Sequence, residues 1–231
     1  MSEALLHKIH SKGYWRILVR PIEYREKRIA SLKECRDIVS SSLLSLRGWD
    51  YPHIDHKDFT NGQNYVSSGC DFMCHIEHWR LYQSGQFIHH FAMEEDWQSQ
   101  VESIFGEKYN DIGFKGLEVI SIVYRLSEIL EFTSRLATKN IFNGGLDIHV
   151  QLHDTQDRRL FFWDKRRHLF QEYVCKIPQI EFKQRISEQE LIGNGSEVAL
   201  KLAYDIFERF NWNAPLEIFR NEQRELLRRL V

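Results

Sequence analysis

The sequence predicts an α+β fold: a mixed or mainly antiparallel sheet, built from a hairpin and a three-strand meander, with helices packed on one face and a helical C-terminus. Three observations carry this. Period-2 alternation recurs in short segments bounded by turn residues. A 3.6-residue period marks separate, longer stretches. The resulting order, β-α-ββ-α-βββ-αα, groups strands with strands instead of alternating them one for one with helices.

The first strand runs from Tyr14 to Arg20 and stops at Pro21, which has no N–H to give a ladder. From Ile29 to Leu46, Ile29, Leu32, Cys35, Ile38, Val39, Ser42, Leu43 and Leu46 share one helical face. Gly48 and Pro52 end that helix, and the stretch from Arg47 to Gly69 reads as a loop with Asn61-Gly62 and Ser67-Ser68-Gly69 as turns. A hairpin follows: Phe72 to Tyr82, the turn Gln83-Ser84-Gly85-Gln86, then Phe87 to Met93.

Leu117 to Leu136 predicts the longest helix. It is apolar nearly all round, with Glu118, Ser121, Arg125 and Glu128 as one narrow polar stripe, which places it centrally. After Asn143-Gly144-Gly145 come the three meander strands, Leu146 to His153, Arg159 to Trp163 and Leu169 to Cys175. A polar connection to Asn194 carries a short strand or helix of its own. Ser196 caps a helix with core face Ala199, Leu202, Ala203, Ile206 and Phe207, and Pro215 opens the last helix. With no repeat or linker in the chain, residues 1–231 read as one α+β domain, with 195–231 as a C-terminal helical pair packed on it.

At 42% hydrophobic and 28% charged residues the 231-residue chain has the composition of a globular protein, not of a disordered one. A net charge of −2 excludes a global field that recruits nucleic acid or anionic membrane. The first fifteen residues lack the apolar core of a signal peptide, and no apolar run reaches bilayer length. Cys35, Cys70, Cys74 and Cys175 form no extracellular-style framework. The expectation is a soluble, cytoplasmic protein with no membrane partner.

Histidine is the unusual residue. Eleven occur, mostly in close pairs, and imidazole both ligates metals and titrates near neutrality. The densest stretch is Arg47 to His56: Arg47, Trp49, Asp50, Tyr51, His53, Asp55 and His56 lie on a loop shaped by Gly48 and Pro52. These residues, with Arg80, His149 and His153, are the candidate ligand-binding set. Asp147, His149, Gln151 and His153 share one face of a strand and form either a solvated surface or the floor of a polar pocket.

Metal binding has partial support only. No cofactor is predicted; a divalent metal is the alternative, held by His53, Asp55, His56 and His78. Cys70, Cys74, His75 and His78 have ligand chemistry, but one strand cannot wrap a tetrahedral ion. Arg158, Arg159, Lys165, Arg166 and Arg167, interleaved with Phe161, Phe162 and Trp163, are the candidate nucleic-acid contacts, the competing reading being cations that decorate hairpin turns. The carboxylates Glu94-Glu95 and Glu188/Glu190 read as solvated, and catalytic residues are not assignable.

Gly13-Tyr14-Trp15-Arg16, Arg47-Gly48-Trp49-Asp50-Tyr51-Pro52, the run Trp79 to Phe87 and Phe207-Glu208-Arg209-Phe210-Asn211-Trp212 together resemble a family of uncharacterised bacterial proteins. In some of those an AlbA-like DNA-binding domain lies alongside, a domain of which this chain shows no copy. The resemblance implies a bacterial cytoplasmic setting and a role near nucleic acid, and it implies no catalytic residue.

The expected function is therefore a non-catalytic binding or sensing module for a nucleotide, a nucleic-acid segment or a partner protein. The alternatives are a metal-dependent hydrolase of the phosphodiesterase or nuclease kind using the His/Asp-rich loop, and a scaffold subunit or homo-oligomer. Whether the chain is an enzyme stays open, leaning to no.

Overall fold

The computed structural model describes residues 2–55, 59–98 and 115–230. One candidate, His56, lies outside them. The fold is α+β, with a seven-stranded sheet and a helical C-terminus. Its strands, in chain order, are β1 (Tyr14–Pro21), β2 (Thr60–Asn61), β3 (Tyr65–Phe72), β4 (His75–Tyr82), β5 (Phe87–Ala92), β7 (Leu146–His153) and β9 (Gln179–Ile186). They lie in the order β2-β3-β4-β5-β1-β7-β9, every pairing antiparallel. The two short strands β6 (Gly116–Glu118) and β8 (Arg159–Phe161) form a separate parallel pair.

Strict alternation decides which face is buried. Trp15, Ile17 and Val19 of β1 register with Leu152, Val150 and Ile148 of β7 and with Phe91, His89 and Phe87 of β5. All of these are at most 4% exposed, and burying each large apolar side chain contributes about 1.5–3 kcal/mol. The neighbouring register positions, Tyr14, Arg16, Leu18 and Arg20 opposite His153, Gln151, His149 and Asp147, define the other face of the sheet.

Four helices cover the apolar face or pack on those that do: α2 (Leu32–Ser42), α3 (Val119–Ala137), α4 (Glu188–Glu208) and α5 (Leu216–Leu227). As its apolar circumference predicts, α3 is central. Phe132 packs at 5.0 Å from Phe87 and edge-on at 5.8 Å to Tyr51, while α4 packs against α3. Helix α2 starts at Leu32, not Ile29, because Ser31 Oγ caps Glu34 N–H at 3.1 Å and the Glu34 carboxylate accepts from Ala30 N–H at 3.0 Å. A fifth helix, α1 (Ser2–His10), lies on the other face, sealing Leu5 and Ile9 against Ile76, Ala92 and Trp97.

Three sequence expectations are revised. The segment from Arg47 to Gly69 is not all loop: β3 occupies its end and pairs with β4 around a turn where Met73 takes φ 54°. The three-strand meander does not form. Strand β8 leaves the main sheet for β6, Leu169 to Cys175 contributes one isolated bridge (Arg159 to Val174), and β9 takes the place beside β7. The physical reason is side-chain supply: β9 offers Ile180, Phe182 and Ile186 to the apolar face, whereas the turn before Leu169 is charged. Ser196 is not a helix cap either. Helix α4 begins more than two turns earlier, at Glu188, capped by Ser187, whose Oγ accepts from Glu190 N–H at 3.1 Å. It kinks at Asn194 (φ −131°) between Gly193 and Gly195, and the sequence pattern showed the half beyond the kink.

Candidate functional site

The segment after α2 folds back on itself. Leu44 and Tyr51 exchange both backbone hydrogen bonds, at 2.8 and 3.1 Å. Gly48 takes φ 77°, a conformation other residues adopt only with strain. The Tyr51–Pro52 peptide is cis.

Glu77, on the apolar face of β4 and 6% exposed, ties this loop to the sheet. Its Oε1 accepts Trp49 Nε1–H at 3.2 Å. Its Oε2 accepts the His53 backbone N–H at 3.2 Å and lies 2.8 Å from His89 Nε2. An ionised carboxylate only accepts, so His89 carries a proton on Nε2, and its Nδ1 lies 3.2 Å from the Tyr51 hydroxyl. Burial alone would raise the Glu77 pKa, but the hydrogen bond and charge of His89, with the His53 N–H, bring it down to about 2. Burial, then the charges of Glu77 and Glu128, push the Tyr51 phenol well above its ordinary value. The loop is further fixed by Trp79 Nε1–H on the His53 carbonyl at 2.7 Å and Asp55 N–H on Ser68 Oγ at 3.1 Å.

Helix α3 brings the second half of the site. Arg47 makes a two-pronged pair with Glu128, Nε to Oε1 at 2.9 Å and Nη2 to Oε2 at 2.7 Å. One turn back, Arg125 pairs with Glu94, from the 3₁₀ turn after β5, and stands 3.7 Å from Glu128. Only 14% of the Arg125 side chain is exposed. Burial and the facing Arg47 lower its pKa to about 10, which leaves it charged at neutral pH.

Between loop and helix is a cleft of about 270 Å³. Arg47, Arg125, Glu94 and Glu128 supply both signs of charge, with Asp50, Tyr51 and His75 completing the walls. Trp49 closes one side, stacked with His53 and with His75, both ring centroids 4.4 Å away. Burial, then Arg125, lowers the His75 pKa to about 4, so His75 is neutral at pH 7.

The candidate residues named from sequence divide between two faces. Arg47, Trp49, Asp50, Tyr51 and His53 assemble at or beside the cleft, with Asp55 at the loop's far end. Arg80, His78, His149 and His153 do not join them. They lie on the opposite face: Arg80 stacks over Tyr65 at 4.8 Å, His149 pairs with Glu181 at 2.6 Å, and His153 stacks on Tyr14 at 4.3 Å. The set His53, Asp55 and His78 therefore cannot close on one metal ion, because His78 points away from the loop through the sheet. The described residues instead bring Cys74, His75 and Glu94 together, with ligand atoms within 4.8 Å of one another. Burial raises the Cys74 thiol pKa.

The basic group also separates. Arg158 is 0% exposed and serves the interior: it pairs with Asp96 at 2.5 and 2.8 Å and donates to the carbonyls of Asp154 and Gly116. It is an internal ion-pair residue, not a phosphate contact. Arg159 pairs with Glu172, Arg166 with Asp164, and Arg167 with Glu222. Lys165 is exposed.

Sequence reasoning missed Glu77, His89, Glu94, Arg125 and Glu128 as members of the site. Glu94 read as solvated, yet it pairs with Arg125. The available signal was the charged pair Arg125 and Glu128 on an otherwise apolar helix: charges there must face a partner or a cleft. The result is an α+β protein with a polar, double-signed cleft beneath a pinned loop. No family model, no curated protein and no solved structure matches the chain.

Proposed function

We propose that the protein is a non-catalytic binding or sensing module whose ligand seats in the cleft between the Arg47–Asp55 loop and α3, and that this ligand is a small zwitterion of amino-acid size. The observation behind this is the placement of Arg47 and Arg125 opposite Glu94 and Glu128 on the walls of one confined space. The four groups are paired with one another across the cleft, and a zwitterion can exchange those pairs for its own, its carboxylate on the guanidinium forks and its ammonium on the glutamates. A volume of about 270 Å³ lies below the 300–1,000 Å³ typical of sites for larger ligands, which argues against a whole nucleotide. Trp49 is already stacked with His53, His75 and Phe72, which leaves it poorly placed to stack on a base.

Binding is favoured over catalysis by the state of the titratable groups. Glu77 is consumed by three donors, and Tyr51 is held protonated by burial. The nucleic-acid form of the reading keeps Lys165 and the exposed edges of Arg159 and Arg166, each arginine already paired with a carboxylate. A cytoplasmic setting agrees with four free thiols and with the absence, among the described residues, of a helix long and apolar enough to cross a membrane.

A thermal-shift screen of amino acids, primary amines and carboxylic acids tests the proposal with wild type and Arg47→Gln. Amino acids are expected to raise Tm in wild type alone, with amines and acids weaker. No shift for any class, or equal shifts in Arg47→Gln, would overturn it. For the metal-dependent hydrolase reading, Cys74, His75 and Glu94 are a second candidate ligand set beside the His53, Asp55 and His56 loop, His78 being on the other face of the sheet. Elemental analysis decides it: protein that neither carries nor takes up Zn²⁺ or Mn²⁺ has no such site.

A further inference from the structure

A second cavity lies remote from the cleft in sequence and shares no lining residue with it. Its volume is about 450 Å³, within the range of small-molecule sites. Phe162 after β8, Leu169 and Tyr173 from the following segment, and Trp212 and Phe219 from the α4–α5 junction form an aromatic wall. Those rings hold one another in place. Tyr173 lies 5.4 Å from Trp212, and Phe162 and Phe219 meet Trp212 nearly at right angles, at 6.5 and 5.8 Å. Phe219 is 2% exposed and itself packs on the buried Phe207, so the wall is an extension of the core and not a loose surface patch.

One cation lines this apolar space. Arg167 gives Nη2 to Glu222, and its Nε stands 3.7 Å from Asp164. Its Nη1 is buried and has no hydrogen-bond partner among the described residues. A guanidinium N–H without an acceptor costs free energy, which a turn of the side chain toward an incoming oxygen recovers. Asp164 is itself engaged by Arg166 at 3.0 Å, and Glu222 also accepts from the Tyr124 hydroxyl at 3.0 Å, so neither carboxylate is available to turn to Nη1 without giving up a partner.

An aromatic cavity with one unfilled cationic donor selects a particular chemistry. We propose that this cavity binds a small carboxylate with an aromatic or bulky apolar body, the body against Trp212, Tyr173 and Phe162 and the carboxylate on the guanidinium of Arg167, which lines the cavity with 34% of its side chain exposed. A neutral analogue keeps the apolar contact and loses the charge-assisted hydrogen bond, which sets the expected discrimination at about tenfold or more.

The experiment is isothermal titration of the full chain with 4-phenylbutyrate and with 4-phenylbutanol, its neutral counterpart. The carboxylate is expected to bind at least about tenfold more tightly than the alcohol. Arg167→Gln should bring the two affinities together, and Ile218→Glu, on the rim and 52% exposed, should weaken both. The wild-type comparison stands without either variant. Equal affinities for the two probes, or no binding of either, would overturn the proposal, as would discrimination that persists in a folded Arg167→Gln protein.

Discussion

Glu77 on β4 and His89 on β5 face each other diagonally across neighbouring strands, carboxylate to imidazole at 2.8 Å, both among the most buried polar side chains of the sheet. The pair is a polar insertion in an apolar face, and each of its remaining valences is taken by the loop: Trp49 and His53 on Glu77, Tyr51 on His89. The loop that forms the candidate site is thus held by hydrogen bonds that exist only in the folded sheet.

Removing one partner of a buried, fully satisfied pair leaves the other uncompensated, at a cost of about 3–5 kcal/mol. Glu77→Gln and His89→Phe are each expected to lower unfolding stability on that scale. The double variant should cost clearly less than the sum of the two, as a double-mutant cycle by urea denaturation would read. Strict additivity would show that the two side chains act independently.

Two arginines of the same basic group should behave oppositely. Arg158→Met strips a buried pair from Asp96 and is expected to cost about 3–5 kcal/mol. Arg166→Ala, at an exposed ion pair with Asp164, should leave the urea midpoint unchanged. Equal effects in the two variants would contradict the burial of Arg158.

Acid should destabilise the protein well above the carboxylate range. Burial, reinforced by Arg80, lowers the His78 pKa to about 4, and burial lowers His90 to about 3. Between pH 6.5 and those values the unfolded chain binds protons that the folded chain refuses, so stability falls as pH falls. At about 1.4 kcal/mol per pKa unit the loss for His78 is on the order of 2–3 kcal/mol by pH 4. Glu77 adds to it lower down: its contribution is present above pH 4.5 and is lost as pH falls through about 2. Urea midpoints from pH 7 to 4 should drop in wild type and less steeply in His78→Gln. A flat profile would refute the buried neutral histidines.

Much of the fold was legible, and the parts that were not have physical causes. The β4–β5 hairpin, the first strand and the central helix stand in the alternation of Phe72 to Tyr82, the stop at Pro21 and the apolar girth of 117–136. Strand β3 was hidden because its turn with β4 is made by Met73 and Cys74, with no glycine or asparagine to mark it. The start of α4 was hidden by Gly193, Asn194 and Gly195, which the helix absorbs as a kink. In the site, the loop residues from Arg47 to His53 were visible as a cluster. Their partners were not, since Glu77, His89 and Arg125 come from three other elements and meet only when β4, β5 and α3 stack. The separation of His75 from His78 was legible, since residues three apart on a strand point to opposite faces.

The most direct test of the cleft is to locate a bound zwitterion by NMR. Titrating the isotope-labelled protein with the tightest amino acid from the thermal screen should move the Trp49 indole N–H and the Arg47 and Arg125 Nε–H resonances together, saturating at one affinity, while the Trp163 and Trp212 indole signals stay still. Binding that saturates without moving Trp49, Arg47 or Arg125 would place the ligand elsewhere and contradict the assignment of the cleft.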